Sequence, residues 1–147
     1  MVESNNESQD VFLDRSDLSV TAPMVVSEIA EDILFSGFYG SLDSGRMRAI
    51  CDQMQVLAET RSSKFIIIDL SSCGIIDTSI AALMLNTSRI LSLTGVTIVY
   101  CGIKPIIARS IVNSNINLEE LYFKRDLKTA LEFCLLSLGR QIIDTPK

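Results

Sequence analysis

Hydroxyl side chains are concentrated at two places where a strand-like apolar segment ends. Asp77, Thr78 and Ser79 follow the loop from Ser71 to Ile76, and Ser110 follows the turn Gly102-Ile103-Lys104-Pro105. Asp, Ser and Thr are favoured at helix N-termini, because their side chains accept hydrogen bonds from the free amides of the first turn. The same residues, with Lys104 and Arg109, could also form a binding surface. Their spacing alone leaves both interpretations open.

The chain contains no histidine, which excludes Ser-His-Asp and Cys-His nucleophiles and His-ligated zinc. Four widely spaced cysteines form no CxxC pair, so we expect buried, reduced thiols. The stretch from Gly40 to Gly45 resembles a phosphate loop but lacks the following Lys, which favours a turn and a helix cap. We therefore expect no metal, no cofactor and no enzymatic activity.

The charge is unevenly distributed along the 147 residues. Residues 1–20 contain five acidic residues and only Arg15, so they carry −4 of the net charge of −5. We expect residues 1–22 to form a mobile acidic tail, residues 23–139 a single domain and residues 140–147 a C-terminal tail. A nearly neutral body argues against nucleic acid and favours protein partners.

The apolar runs are also too short for a membrane protein. The run from Phe65 to Ile68 is typical of them, whereas a membrane-spanning helix needs roughly 18 apolar residues. The N-terminal MVESNNESQD lacks the basic-then-apolar order of a signal peptide. We expect a cytoplasmic protein that does not contact the membrane.

The hydrophobic pattern predicts an α/β fold with one mixed, mostly parallel sheet and helices packed on it. The predicted strands are 24–29, 33–38, 65–70, 96–101 and 121–123. The predicted helices begin at Asp43 or Ser44, at Asp77, at Pro105 and at Asp126. Ligands and partners of open α/β sheets meet the carboxyl ends of the parallel strands. Both hydroxyl-rich segments follow such ends, so we expect them at one edge of the sheet.

Three segments read together identify a family. TAPMVVSEIAEDILFSGFYGSLDSGR, KFIIIDLSSCGIIDTSIA and VTIVYCGIKPIIARSIVNSNINL resemble the STAS domain of bacterial anti-sigma factor antagonists, and most closely the RsbR- and RsbS-type proteins of the stressosome. The resemblance covers roughly residues 22–139. It rests on Asp69-Leu70 at a strand end, on Asp77-Thr78 at a helix start, and on Gly102 to Pro105 with the helix that contains Ser110.

The resemblance implies a regulatory protein of the bacterial stress response, acting by partner switching. A serine/threonine kinase of the switch type would phosphorylate Thr78, and Ser110 would be a second site. Asp77, Ser79, Lys104 and Arg109 would contribute to the partner surface, and homologous STAS proteins would assemble with the chain into oligomers. A phosphate on Thr78 would add about −1.5 to −2 charge at a helix N-terminus, which tolerates it. The alternative is a small-ligand or nucleotide-binding module that uses the same loops as its pocket.

Overall fold

A mixed five-stranded sheet forms the centre of the molecule. The computed structural model describes residues 24–146. The strands are β1 (Val26–Ala30), β2 (Ile33–Gly37), β3 (Phe65–Asp69), β4 (Thr97–Cys101) and β5 (Tyr122–Lys124), and they lie side by side in that order. β1 is antiparallel to β2, and β2 to β5 are parallel. The predicted fold class is confirmed.

The helices cover both faces of the sheet, and all but the last of them connect parallel strands. Within residues 24–146 they are α1 (Ser44–Thr60), α2 (Thr78–Leu93), α3 (Pro105–Asn113) and α4 (Leu127–Ser137), with a 3-10 turn at Leu118–Glu120. α1, α2 and α3 pack on one face and α4 packs on the other. None of these helices is long and apolar enough to cross a membrane.

The central strand β3 shows why this sequence needs helices on both faces. Its residues from Phe65 to Ile68 are all buried. Ile66 and Ile68 point into the core beneath α1 to α3, whereas Phe65 and Ile67 face Ala130 and Cys134 of α4. A strand that is apolar at successive positions is stable only when both of its faces are covered.

Two helix starts follow the local signals in the sequence. Asp43 is the N-cap of α1, and its carboxylate accepts a hydrogen bond of 2.7 Å from the amide of Arg46. Asp126 caps α4 in the same way through the amide of Thr129. These bonds satisfy amides that have no partner within the helix.

All four cysteines are reduced and buried, as predicted. Burial is the main cause that raises the pKa of each thiol, to about 12 for Cys101 and Cys134. They are therefore neutral near pH 7 and pack as small apolar side chains.

Candidate functional site

Three loops meet at the edge where the parallel strands end. They are residues 38–43 after β2, residues 70–77 after β3 and residues 102–104 after β4. The sequence indicated only the second and third. The first joins them because β2 pairs in parallel with β3, with Ile33 opposite Phe65. Strand pairing is a long-range contact that the local pattern did not show.

Backbone hydrogen bonds join the first two loops. The amide of Gly40 donates to the carbonyl of Ser72 at 3.1 Å, and the amide of Gly74 donates to the carbonyl of Gly40 at 2.7 Å. Arg46, in the first turn of α1, donates to the carbonyls of Tyr39 and Ser41 at 2.6 and 2.9 Å. This function of Arg46 is not evident from the sequence, because an Arg near the start of a helix is more commonly a solvated residue.

The second and third loops come close together at Gly102. The carboxylate of Asp69 accepts a hydrogen bond of 2.8 Å from the amide of Ser71. Gly102 has a φ of +70°, and a Cβ atom on it would lie 2.6 Å from that same carboxylate. The tight turn before Lys104 therefore requires a residue without a side chain.

Asp77 and Thr78 have different surroundings although they are adjacent. Asp77 is the N-cap of α2, and its carboxylate accepts a hydrogen bond of 2.8 Å from the amide of Ile80. Thr78 is the first residue of α2, and both it and Ser79 are exposed. Asp77 therefore supplies the cap, and the hydroxyls of Thr78 and Ser79 remain on the surface.

The residues predicted on α3 are spread along that helix. Lys104 is exposed at its N-cap position, where it makes no side-chain capping bond. Arg109 is exposed, and Ser110 is half-buried with its hydroxyl donating to the carbonyl of Ile106 at 3.2 Å. Ser110 follows Pro105 by more than one helical turn, about 7.5 Å along the axis. The structure thus brings Asp77, Thr78, Ser79 and Lys104 to the edge, while Arg109 and Ser110 lie further along α3.

Large apolar side chains are exposed beside these polar residues. Tyr39, Ile75 and Ile106 have exposed fractions of 63, 67 and 53%, and they belong to the first loop, the second loop and the start of α3. We call these three residues the apolar triplet. Exposed apolar groups of this kind are typical of protein-interaction surfaces. The triplet is not evident from the sequence, because an apolar residue type in a loop does not indicate whether its side chain is buried.

The edge does not carry an activated thiol or a metal cluster. Cys73 lies in the second loop, and burial raises the pKa of its thiol although Arg46 and Lys104 oppose the shift. Among the described residues, no three His, Cys, Asp or Glu side chains are grouped so that they could hold a metal ion. The chemistry available at the edge is that of exposed hydroxyls with charged and apolar neighbours.

A sequence model of the STAS domain matches residues 24–142, which is most of the chain. The chain belongs to the STAS domain family. A curated relative is the RsbT co-antagonist protein RsbRA from Bacillus subtilis strain 168, which is 26% identical over 124 residues. The aligned region covers 84% of this chain and 44% of RsbRA. The chain therefore spans less than half the length of that STAS relative.

Solved structures of STAS proteins have the same fold. A variant of RsbS from Moorella thermoacetica is 20% identical with a TM-score of 0.67, and the match covers 79% of this chain and 97% of RsbS. A chain from the stressosome architecture has 18% identity and a TM-score of 0.61, covering 80% of this chain and all of the other. The anti-sigma factor antagonist SpoIIAA, in its unphosphorylated form, has 14% identity and a TM-score of 0.64, and the match covers 82% of this chain and 99% of SpoIIAA. These structures confirm the expected STAS fold, and the match to RsbRA confirms the expected similarity to an RsbR-type protein.

Proposed function

We propose that this STAS domain is a phosphorylation-switched protein-interaction domain of a bacterial stress-response pathway, and that Thr78 is its principal phosphorylation site. One observation carries the proposal: the Thr78 hydroxyl is exposed at the first position of α2, while Asp77 supplies the cap. A kinase can therefore modify Thr78 without breaking a bond that holds the helix. The relationship to an RsbT co-antagonist and to an anti-sigma factor antagonist supports the pathway.

Phosphorylation would change the surface more than the fold. The helix dipole tolerates a dianion at the start of α2, but the carboxylate of Asp77 already occupies the amide of Ile80. Because Thr78 is exposed, the phosphate would lie on the surface, three residues along the chain from Ile75. A partner packed against the neutral hydroxyl and the apolar triplet would then have to desolvate a dianion, which is unfavourable unless it is paired. Binding would be lost or exchanged while the domain stays folded.

The partners in this proposal are a serine/threonine kinase of the switch type and homologous STAS proteins. The charged and polar contacts around the apolar triplet would come from Asp77, Ser79, Lys104 and Arg109. The domain would act in the cytoplasm as a regulator and not as a catalyst. The stressosome is described as a signal integration and transduction hub, and one of its chains has a fold similar to that of this chain. This similarity supports assembly with other STAS proteins.

Ser110 would be a second and weaker site. Its hydroxyl donates to the carbonyl of Ile106 and its side chain is half-buried, so a kinase would have to break that bond and turn the side chain outward. It also lies more than one turn from the free amides at the start of α3, which could otherwise stabilise a phosphate. We expect a smaller and separable effect at Ser110.

Kinase treatment followed by mass spectrometry tests the proposal. The chain is incubated with ATP and each switch-type kinase from its own genome, alongside the variants Thr78→Ala and Ser79→Ala. Ser79 is the matched control, because it is an adjacent exposed hydroxyl in the same helical turn. We expect phosphate on Thr78, none in Thr78→Ala and normal modification in Ser79→Ala. Phosphate on Ser79 alone would overturn the assignment of Thr78.

A binding measurement tests the consequence of phosphorylation. Thr78→Asp should weaken the affinity for a homologous STAS protein or for the kinase, relative to the wild type and to Ser79→Asp. Saturable binding of ATP or GTP without phosphate transfer to any hydroxyl at this edge would contradict the switch. That result would favour a nucleotide-binding module.

A further inference from the structure

An open apolar groove lies between α3 and β5, and the proposed function does not use it. Its volume is about 390 Å³. The lining consists of side chains from α3, the 3-10 turn, the third loop and the end of β5: Ile103, Ala108, Ile111, Val112, Leu118, Phe123, Lys124 and Arg125. Only the stem of Lys124 contributes, because its ammonium lies 4.4 Å from the ring centre of Phe133 on the other face. The floor of the groove is therefore apolar.

The charges around this groove are mostly positive. Arg125 lines it with an 87% exposed side chain, although its guanidinium also pairs with Asp126. Lys104 and Arg109 are exposed neighbours of the lining residues Ile103 and Ala108, and neither forms an ion pair with another residue in 24–146. Glu119 is an exposed acid next to Leu118. An occupant with an apolar centre and acidic flanks would match this arrangement.

The chain itself contains such a segment before the first described residue. Val11, Phe12 and Leu13 are three successive apolar residues, and Asp10 and Asp14 flank them directly. We propose that Val11, Phe12 and Leu13 of the acidic N-terminal segment dock into the groove between α3 and β5 of the same chain. The mobile acidic tail expected for residues 1–22 lies outside the described residues.

The topology allows this docking within one chain. β1 runs antiparallel to the other strands, so Met24 lies near the edge where those strands end, which is also the edge of Ile103 and Arg125. Four strand spacings separate β1 from β5, which is about 19 Å. The twelve residues from Phe12 to Met24 can extend over about 40 Å. The segment is therefore long enough to reach the groove from Met24, even along a path around the loops at this edge.

Site-specific photo-crosslinking tests the proposal in the full chain. Phe12 is replaced by the photoreactive amino acid p-benzoylphenylalanine, the protein is irradiated, and mass spectrometry maps the crosslinked peptides. We expect crosslinks to residues 103–112 and 118–125. Crosslinks that map only elsewhere on the chain would overturn the proposal. A mixture of isotopically heavy and light protein distinguishes crosslinks within one chain from crosslinks between two chains. Crosslinks that join a heavy peptide to a light peptide would show docking between chains and would overturn docking within one chain.

Paired variants test which residues form the contact. Val112→Asp in the groove should reduce the crosslink to background, whereas Val56→Asp on α1 should not. Val56 is the matched control, because both valines lie on helices and their exposed fractions are similar, 62% for Val112 and 57% for Val56. In the chain without the photoreactive group, Phe12→Ala should shift the methyl NMR signals of Ile103 and Ile111, and Val20→Ala should not. Unchanged signals of both isoleucines in Phe12→Ala would contradict docking.

Discussion

Two neighbouring residues at the start of α2 have different roles: Asp77 caps the helix, and Thr78 is the proposed phosphorylation site. Asp77 holds the amide of Ile80, whereas the Thr78 side chain lies on the surface. A regulatory hydroxyl benefits from this separation, because its modification then leaves the helix start intact. The stability of the domain should therefore respond to Asp77 and not to Thr78.

Urea denaturation of two single variants measures this difference. Asp77→Ala removes the cap and should lower the free energy of unfolding by about 0.5–2 kcal/mol. Thr78→Ala should change it by no more than about 0.5 kcal/mol, as is usual for exposed positions. If Thr78→Ala were as destabilising as Asp77→Ala, the Thr78 hydroxyl would have a structural function and the proposed division would be wrong.

Glycines 102 and 139 offer a second comparison at the residue scale. Both have a positive φ, of +70° and +72°. A Cβ atom on Gly139 would meet open space, but on Gly102 it would collide with Asp69 and with Ser71 at 3.0 Å. Gly139→Ala should cost about 1–2 kcal/mol of stability from the backbone conformation alone.

Gly102→Ala should be more destabilising than Gly139→Ala, because it adds a collision to the same backbone strain. It should also move the NMR signals of the second loop, which contains Ser71. Equal losses of stability in the two variants would show that the third loop can shift away from Asp69 at little cost.

At the scale of elements, α4 has a distinctive position. It is the one α-helix within residues 24–146 that packs on its face of the sheet, and it contacts β3, β4 and β5. Its start depends on Asp126, which accepts hydrogen bonds from the amide and hydroxyl of Thr129 at 2.8 and 2.7 Å and from Arg125 at 3.0 Å. These bonds, the Thr129 amide foremost, lower the pKa of Asp126 to about 2.

The lowered pKa of Asp126 gives the stability of the domain an acid-sensitive component. The pKa is lower in the folded chain than its ordinary value of 3.8, so the unfolded chain takes up the proton first as the pH falls. The stabilisation by Asp126 is complete above pH 3.8 and is lost as the pH falls toward 2.

The variant Asp126→Asn isolates this component, because Asn also caps helices but does not titrate. Its free energy of unfolding should fall less steeply than that of the wild type between pH 4 and 2. A carboxyl NMR titration of the wild type gives the pKa directly. A pKa near 3.8 would contradict the assignment of these hydrogen bonds.

At the scale of the whole molecule, the exposed apolar residues predict association. The apolar triplet comes from two loops and a helix start that meet at one edge, and its burial against another STAS domain would remove apolar surface from water. We expect light scattering at micromolar concentration to show a dimer or a larger species.

Two aspartate variants distinguish a specific interface at this edge from non-specific hydrophobic association. Ile75→Asp should shift the assembly toward the monomer, whereas Leu93→Asp should not. Leu93 is exposed too, but it lies at the opposite end of α2. A wild-type chain that stays monomeric and binds no other STAS protein would contradict the prediction.

The sequence predicted the elements well, because their signals are local. Asp77 before an apolar helical pattern, Pro105 at a first turn and the run from Phe65 to Ile68 each depend on residues close together in the chain. The outer strands were less exact: the first was predicted at 24–29 and found at Val26–Ala30, and the last, β5, was predicted at 121–123 and found at Tyr122–Lys124. Its three residues are too few to show a clear alternation, and the 3-10 turn before them ends at Glu120.

The sequence by itself determined the class of the fold, the caps, the reduced cysteines and the edge at which Thr78 lies. Only the tertiary structure decided that the loop after β2 joins that edge, that Arg46 holds it, and that Tyr39, Ile75 and Ile106 remain exposed. It also decided that Ser110 is half-buried along α3 and that a groove opens between α3 and β5. The physical reason is that exposure and long-range contacts depend on which strands pair and which helices cover them, and residues far apart in the chain settle both.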